Sequence, residues 1–310
     1  IMAYTTIDDP SAYFKVQLYV GNATTGKTVV FDDTDTNMSP DFIWIKNRDG
    51  ADPPHVFDNV RSVGQRLRTD RTDAESFVDA SDDLQQVRSH DSDGFTLGNN
   101  TDVNGNTENF VAWCWKAGTT SGKSTTGESI TPSGYSINAT SGFGIFAWSG
   151  TGSNGTITHG LSGDVGKGML IVKQLNSTAG WQVYHQETTA DYTIYLNSNA
   201  AADDSNTVWN DTTPTSSVFT LGTNTGTNAS GSTYIGYVFA PKQGFSKFGR
   251  YKANGNANGP FIYTGFRPAW IMFKKNAGSA GWEIMDSKRA GYNDATYKFS
   301  ADANDAENTD

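Results

Sequence analysis

A chain of 310 residues with 23 Lys and Arg against 33 Asp and Glu carries a net charge of −10 and a pI near 4.8. Phosphate backbones repel such a surface, which argues against direct nucleic-acid binding. Mean hydropathy is −0.52, no apolar run approaches the ~20 residues a helical bilayer span needs, and 12% aromatic residues argue against disorder. The single cysteine, Cys114, excludes an internal disulfide, and no Cys/His spacing fits zinc. The opening segment Met2–Asp9 has neither a basic start nor an apolar stretch and does not read as a secretory signal.

Short apolar runs bounded by Gly, Asn, Asp and Ser predict strands joined by turns. A first unit spans 1–118. It opens with Val16-Gln17-Leu18-Tyr19 and continues through Phe42-Ile43-Trp44-Ile45-Lys46 and Val56-Phe57-Asp58. It closes with Gly94-Phe95-Thr96-Leu97-Gly98, Val103-Asn104-Gly105 and Phe110-Val111-Ala112-Trp113. Asp73–Ala80 is the best helix candidate. Residues 119–142, rich in Ser, Thr and Gly, read as a linker with a short strand at Ser129-Ile130-Thr131.

A second unit, 143–244, repeats the blocks as Ile145-Phe146-Ala147-Trp148, Met169-Leu170-Ile171-Val172-Lys173 and Val183-Tyr184-His185. It closes with Val218-Phe219-Thr220-Leu221-Gly222, Ala229-Ser230-Gly231 and Tyr234-Ile235-Gly236-Tyr237. A third, 245–310, carries Phe248-Gly249-Arg250-Tyr251, Trp270-Ile271-Met272-Phe273-Lys274 and Ile284-Met285-Asp286. The lysine-ended run and the run after it shift together, by 127 and then by 101 residues, and equal shifts of separate segments mark an internal repeat. Asn104-Gly105, Asn154-Gly155 and Asn254-Gly255 predict tight hairpin turns.

In the closing strand Val111, Trp113 and Trp115 share one face, with counterparts Ile235, Tyr237 and Phe239, and this reads as the core face. The opposite face, Phe110, Ala112 and Cys114, is mostly apolar too and predicts a second layer or another subunit. The fold expected is all-β: tandem β-sandwich repeats, two complete and a third incomplete, stacked as an elongated rod. The third unit reaches Asp310 without a closing block. The natural protein is therefore expected to continue, or to receive strands from another subunit.

Candidate sites are few. His55, His90, His159 and His185 lie in no nucleophile or zinc pattern, and His185 aligns with Asp58 and Asp286 rather than with another histidine. Asp91-Ser92-Asp93-Gly94 resembles the start of a calcium loop but lacks its distal glutamate, so it reads as a polar turn. Asp32, Asp33 and Asp35 form the denser acidic cluster and are the one weak metal candidate. Glu283 and Asp286 are separated by an odd number and face opposite sides of a strand, unlike the paired carboxylates of a glycosidase. Tyr19, Trp148 and Tyr251 keep an aromatic at one position, which fits packing better than sugar binding. No catalytic residue and no cofactor is expected.

Several blocks resemble a family of structural proteins from marine tailed bacterial viruses, labelled tail-fibre or virion proteins. They are Met2–Phe14, Pro40–Lys46, Phe57-Asp58-Asn59-Val60-Arg61, Ser92–Gly98, Ala112-Trp113-Cys114-Trp115-Lys116-Ala117-Gly118 and Gly265-Phe266-Arg267-Pro268-Ala269-Trp270. The resemblance covers essentially the whole chain and implies a bacteriophage virion component, without implying catalytic or ligand-binding residues. The expectation is a non-enzymatic tail-fibre or appendage protein at the virion surface that contributes to host attachment. Its expected partners are other virion proteins, further copies of itself (fibres are commonly trimeric) and a host surface glycan or protein receptor, with no nucleic acid and no membrane insertion. The alternatives are a capsid or tail decoration protein, a carbohydrate-binding lectin-like module and, last, a polysaccharide depolymerase.

Overall fold

The computed structural model describes residues 4–76, 86–290 and 296–309. Its regular secondary structure among the described residues is almost all β, in antiparallel sheets. In the first region β1 (Phe14–Val20), β2 (Lys27–Val30), β3 (Phe42–Asn47), β4 (His55–Asp58), β5 (Leu67–Arg68), β6 (Val87–Asp91), β7 (Gly94–Leu97) and β8 (Asn109–Trp115) form two sheets. The larger has the order β1-β8-β3-β4-β5 and the smaller β2-β7-β6. They sandwich one core: Ile43, Ile45, Phe57, Phe110, Ala112 and Cys114 from the larger sheet meet Val29, Val87, Phe95 and Leu97 from the smaller.

The second region contains β9 (Gly134–Asn138), β10 (Phe143–Ser149), β11 (Gly155–Thr158), β12 (Met169–Gln174), β13 (Gln182–His185), β14 (Tyr192–Tyr195), β15 (Asp203–Asp204), β16 (Val218–Leu221) and β17 (Thr233–Phe239). Its sheets run β15-β14-β13-β12-β17-β10-β9 and β11-β16, and they too enclose a core, including Phe146, Trp148, Ile157, Leu170, Val172 and Phe219. Registers coincide across the two regions. Ile43 pairs with Cys114 as Leu170 does with Val238, Trp44 with Val56 as Ile171 with Val183, and Tyr19 with Phe110 as Trp148 with Tyr234. The third region is one sheet of β18 (Trp270–Lys274), β19 (Trp282–Asp286) and β20 (Phe299–Ser300), in which Met272 pairs with Ile284.

A side-chain amide ties the loop before each closing strand. Buried Asn104 donates from Nδ2 to the carbonyls of Thr24 and Gly98 and accepts the Asn22 amide; buried Asn228 does the same with Ser153, Gly222 and Thr151. Asn104 is thus the counterpart of Asn228, not of Ser230, to which block matching assigned it. Asn104-Gly105 is consequently no hairpin turn: it ends the one-turn helix Thr101–Asn104, and Gly105 has φ −56°. Asn154-Gly155 leads straight into β11, and only Asn254-Gly255 places its glycine at positive φ. The β6–β7 hairpin turns instead at Ser92-Asp93, and Gly94 opens β7. Gly94 has φ +129° and passes so close to Val29 that a Cβ would lie 2.0 Å from the Val29 carbonyl oxygen.

The rod is overturned. Both faces of the larger sheets are apolar. One face fills its own sandwich, and the other can leave water only by meeting the larger sheets of the other regions. A central core therefore unites all three: Phe42, Trp44, Val111 and Trp113 from the first, Ile145, Ile171, Trp181 and Tyr237 from the second, Trp282, Ile284 and Phe299 from the third. The Val111/Trp113/Trp115 face belongs to this central core, while the Phe110/Ala112/Cys114 face lines the sandwich. Both faces of β8 are covered within the chain, so the Phe110/Ala112/Cys114 face meets a second layer of its own chain.

The three regions close into a ring. Glu75 N donates to Leu175 O at 2.7 Å, Ala202 N to Asn276 O at 3.1 Å and Glu307 N to Arg48 O at 2.9 Å, linking first to second, second to third and third to first. The three equivalent strand lysines run the same circuit in reverse. Lys173 Nζ donates to Thr72 O, Lys274 Nζ to Asn199 O and Ala200 O, and Lys46 Nζ to Asn304 O.

Three other expectations also change. Residues 119–142 hold β9, and Ile130 is buried in the second core, so the segment packs rather than links freely; the Ser129 and Ile130 amides both donate to Thr156 O without forming a strand. Phe248–Tyr251 forms no opening strand, because the third region has no closing strand for it to pair with among the described residues. The helix expected at Asp73–Ala80 lies partly outside the described residues, and residues 73–76 are not helical.

Candidate functional site

The residues singled out for chemistry are engaged in structure. Asp33 accepts Lys15 Nζ at 2.6 Å and Asp32 accepts Lys288 Nζ at 2.6 Å, so lysines relieve the repulsion in the Asp32/Asp33/Asp35 cluster, while the Asp35 amide donates to Asp33 Oδ1. Among the described residues no group of three or more His, Cys, Asp and Glu is placed to hold a metal ion. Asp91 accepts the hydroxyls of Ser89 and Thr96, and Asp93 accepts the Met38 amide, which fixes the β6–β7 turn. Glu283 pairs with Lys298 and Asp286 with Arg289, on opposite faces of β19.

The histidines are dispersed. His90 Nδ1 contacts Pro40 O at 2.7 Å, His159 Nε2 contacts Thr215 O at 3.1 Å, and His185 Nδ1 accepts the Glu187 amide. His55 is fully buried with neither ring nitrogen hydrogen-bonded, and its Nε2 stands 3.6 Å from Asp102 Oδ2. Burial, reinforced by the positive charges of Arg66, Arg68 and Lys46, drives its pKa well below the usual histidine value, so the ring stays neutral. Burial likewise raises the Cys114 thiol, which makes it an inert core group. Tyr19 stacks on Phe110 and donates to Val103 O; Trp148 stacks on Tyr234 and donates to Thr227 O; Tyr251 is half exposed.

The polar groups with the most built geometry stand at the junctions of the ring. Asp58 Oδ1 accepts the amides of Val60 and Arg61, and its Oδ2 accepts Arg61 Nε at 2.7 Å and the Tyr237 hydroxyl at 2.8 Å. Arg61 also reaches Glu75 and Val56 O. Asp286 repeats every bond: Oδ1 accepts the amides of Lys288 and Arg289, and Oδ2 accepts Arg289 Nε at 2.6 Å and Trp113 Nε1 at 3.0 Å. Arg289 reaches Glu307 and Ile284 O. A closing strand of one region thus hydrogen-bonds a carboxylate of another. The third place in this circuit falls on His185, where Thr188 replaces the arginine and bonds back to His185 O. Burying such pairs is costly unless every lone pair is met, as it is here. Reading Asp58 and Asp286 only as strand-end residues missed Arg61 and Arg289. The signal was present as Asp-x-x-Arg at 58–61 and 286–289.

The exposed apolar surface concentrates in the third region: Phe261 is 90% exposed and Tyr263 68%, with Tyr251, Ile262 and Ile271 about half exposed. A shallow polar recess lies between the second and third regions, lined by Asn197, Asn199, Gly281, Ser300 and Asp302. It brings together none of the residues singled out above.

No curated protein and no solved structure matches the chain. A family model matches residues 9–310, nearly the whole sequence. The chain therefore belongs to the family described as a domain of unknown function (DUF7483).

Proposed function

We propose that this chain is a structural component of a bacteriophage particle, a tail-fibre or appendage protein at the virion surface that contributes to host attachment. The observation that carries the reading is where the motifs of the virion-protein resemblance lie. Asp58 and Arg61 of one block and Trp113 of another are buried junction residues that hold the ring together. Residues spent on joining β units suit a load-bearing part better than an enzyme. Other virion proteins and a host surface glycan or protein receptor are the partners this role requires.

The test is microscopy of intact particles with antibody raised against the chain. Gold label on tail fibres or appendages is the expected result. Label confined to the capsid would replace the reading with a decoration protein, and absence of the chain from purified particles would overturn it.

A further inference from the structure

His55 stands on β4 between Ile45 of β3 and Arg68 of β5, on the face that lines the first sandwich, with its ring stacked on Phe57. It is fully buried, yet neither ring nitrogen has a hydrogen-bond partner. The one-turn helix Thr101–Asn104 carries Asp102 to it, Oδ2 at 3.6 Å from Nε2, and Arg66 Nη1 competes for the same carboxylate oxygen at 3.5 Å. The positive charges bearing on the ring are Lys46 from β3, Arg66 and Arg68 from the β5 side and Arg71 beyond it. Asp52 adds its negative charge at Asp102, and Asp70 is drawn to Arg71.

The second region fills this place without a charge. The shift of 127 that equates β4 with β13 puts Gln182 at the place of His55, Thr193 at that of Arg66 and Tyr195 at that of Arg68. Buried Gln182 accepts the Thr193 hydroxyl at 3.0 Å, and Gly226 packs on it so closely that a Cβ there would lie 2.7 Å from its Nε2. Gly226 stands where the first region has Asp102, two residues before the paired Asn228 and Asn104. An uncharged, hydrogen-bonded side chain thus closes the same place elsewhere in the molecule, and packing alone does not call for a titratable ring at position 55. The cover over His55 is also separable from the sheet. Asn104 ties the helix to the carbonyls of Thr24 and Gly98, whereas β4 is paired along both edges.

We propose that His55 is an acid-sensitive latch: neutral, it lets the 100–105 loop close the first sandwich, and on protonation it drives that loop open while β3, β4 and β5 stay paired. An imidazolium here would be stripped of water among four cations, Lys46, Arg66, Arg68 and Arg71, with Asp102 already shared with Arg66. Burial holds the closed-state pKa well below the ordinary value, so the open state takes up a proton that the closed state excludes. The closed state is therefore fully favoured above the ordinary histidine value of about 6.5 and loses that advantage as pH falls below it. Burial raises Asp70 and Asp102, which act in the opposite sense at lower pH, so the effect is clearest just below the histidine value. The inference is independent of where the chain acts.

Hydrogen exchange on the full chain, corrected for intrinsic rates, tests this. The amides of Val103, Asn104 and Gly105 close onto Asn100 O and Thr101 O. Their opening constant should rise about tenfold between about pH 7.5 and 5.5. The counterpart amides of Thr227 and Asn228, which close onto Asn224 O, should stay level. His55→Gln, which installs the side chain of the second region, should make the first loop as level as the second. The ring signals of His55 in the wild-type NMR spectrum should keep the neutral form through the same range while the loop is closed, a readout that stands even if the variant does not fold. Equal rises in the wild type and the variant would overturn the proposal. So would a rise shared by the amides of β3 and β8, or a His55 ring that titrates near the ordinary value with the loop still closed.

Discussion

β12 and β18 occupy equivalent places and meet different fates. Both carry at one equivalent position a lysine that reaches across a ring junction, and both pair with the following strand in one register. β12 lies between two strands and is wholly buried; β18 has one neighbour among the described residues and is half open. The third region nevertheless keeps Trp282, Ile284 and Phe299 in the central core. The ring can thus be held by one face of a sheet alone, while completion of a sandwich depends on the strand at its edge.

The largest effect should come from the Asp-x-x-Arg junction groups, present in both the first and the third regions. Asp58→Ala and Asp286→Ala each strand a buried arginine, at a cost of about 3–5 kcal/mol. Urea unfolding should find the two losses comparable. A negligible loss for Asp286→Ala would break the equivalence and show that the third region does not brace the ring.

Truncation inside the sandwiches should separate the regions next. Leu170→Ala opens a cavity in a closed core and should cost about 2–5 kcal/mol, whereas Ile271→Ala, at the same place in β18, should cost under about 0.5 kcal/mol. Equal losses in thermal or urea unfolding would mean that Ile271 is covered in solution.

Gly236 sharpens the comparison of the two sandwiches. A Cβ there would stand 2.9 Å from the Trp148 ring. Gly236→Ala should therefore cost about 1–3 kcal/mol by overpacking. Its counterpart Ala112 belongs to the sandwich that has the smaller Tyr19 at the place of Trp148. Ala112→Gly should cost about 1 kcal/mol, largely through strand entropy. A stabilised Gly236→Ala variant would refute this account of the pairing.

The smallest effect is a pH dependence. Burial lowers Lys46 and Lys173 to about 8, against an ordinary lysine value of about 10.4. Between those values the unfolded chain binds more protons than the folded one, so stability should rise from pH 8 towards 10. Above about 10 the trend should reverse, because burial holds the Tyr19 and Tyr237 phenols well above their ordinary value and the unfolded chain loses those protons first. Lys46→Met should flatten the rise more than Lys274→Met, since Lys46 is fully buried and Lys274 only partly. Urea midpoints at pH 8, 9 and 10 check this, and a fall between 8 and 9 would contradict it.

By itself the sequence determined most of the strands and how the principal ones correspond, though not the fates of Ser129–Thr131 and Phe248–Tyr251 or the counterpart of Asn104. The offsets from Lys46 to Lys173 and from Val56 to Val183 are equal, and those strands pair in equal registers. Short alternating runs and their spacing are local properties, so they survive in one dimension. The Asp-x-x-Arg pairs were also written there, but nothing local says that Trp113 and Tyr237 would complete them. Only the tertiary structure decided which apolar face of β8 turns inward and which joins the ring. Phe110, Ala112 and Cys114 on one side and Val111, Trp113 and Trp115 on the other are both apolar, and alternation cannot rank two apolar faces. The choice was made by contacts between residues as far apart as Arg48 and Glu307, where the ring closes, and a rod and a ring differ only in such contacts.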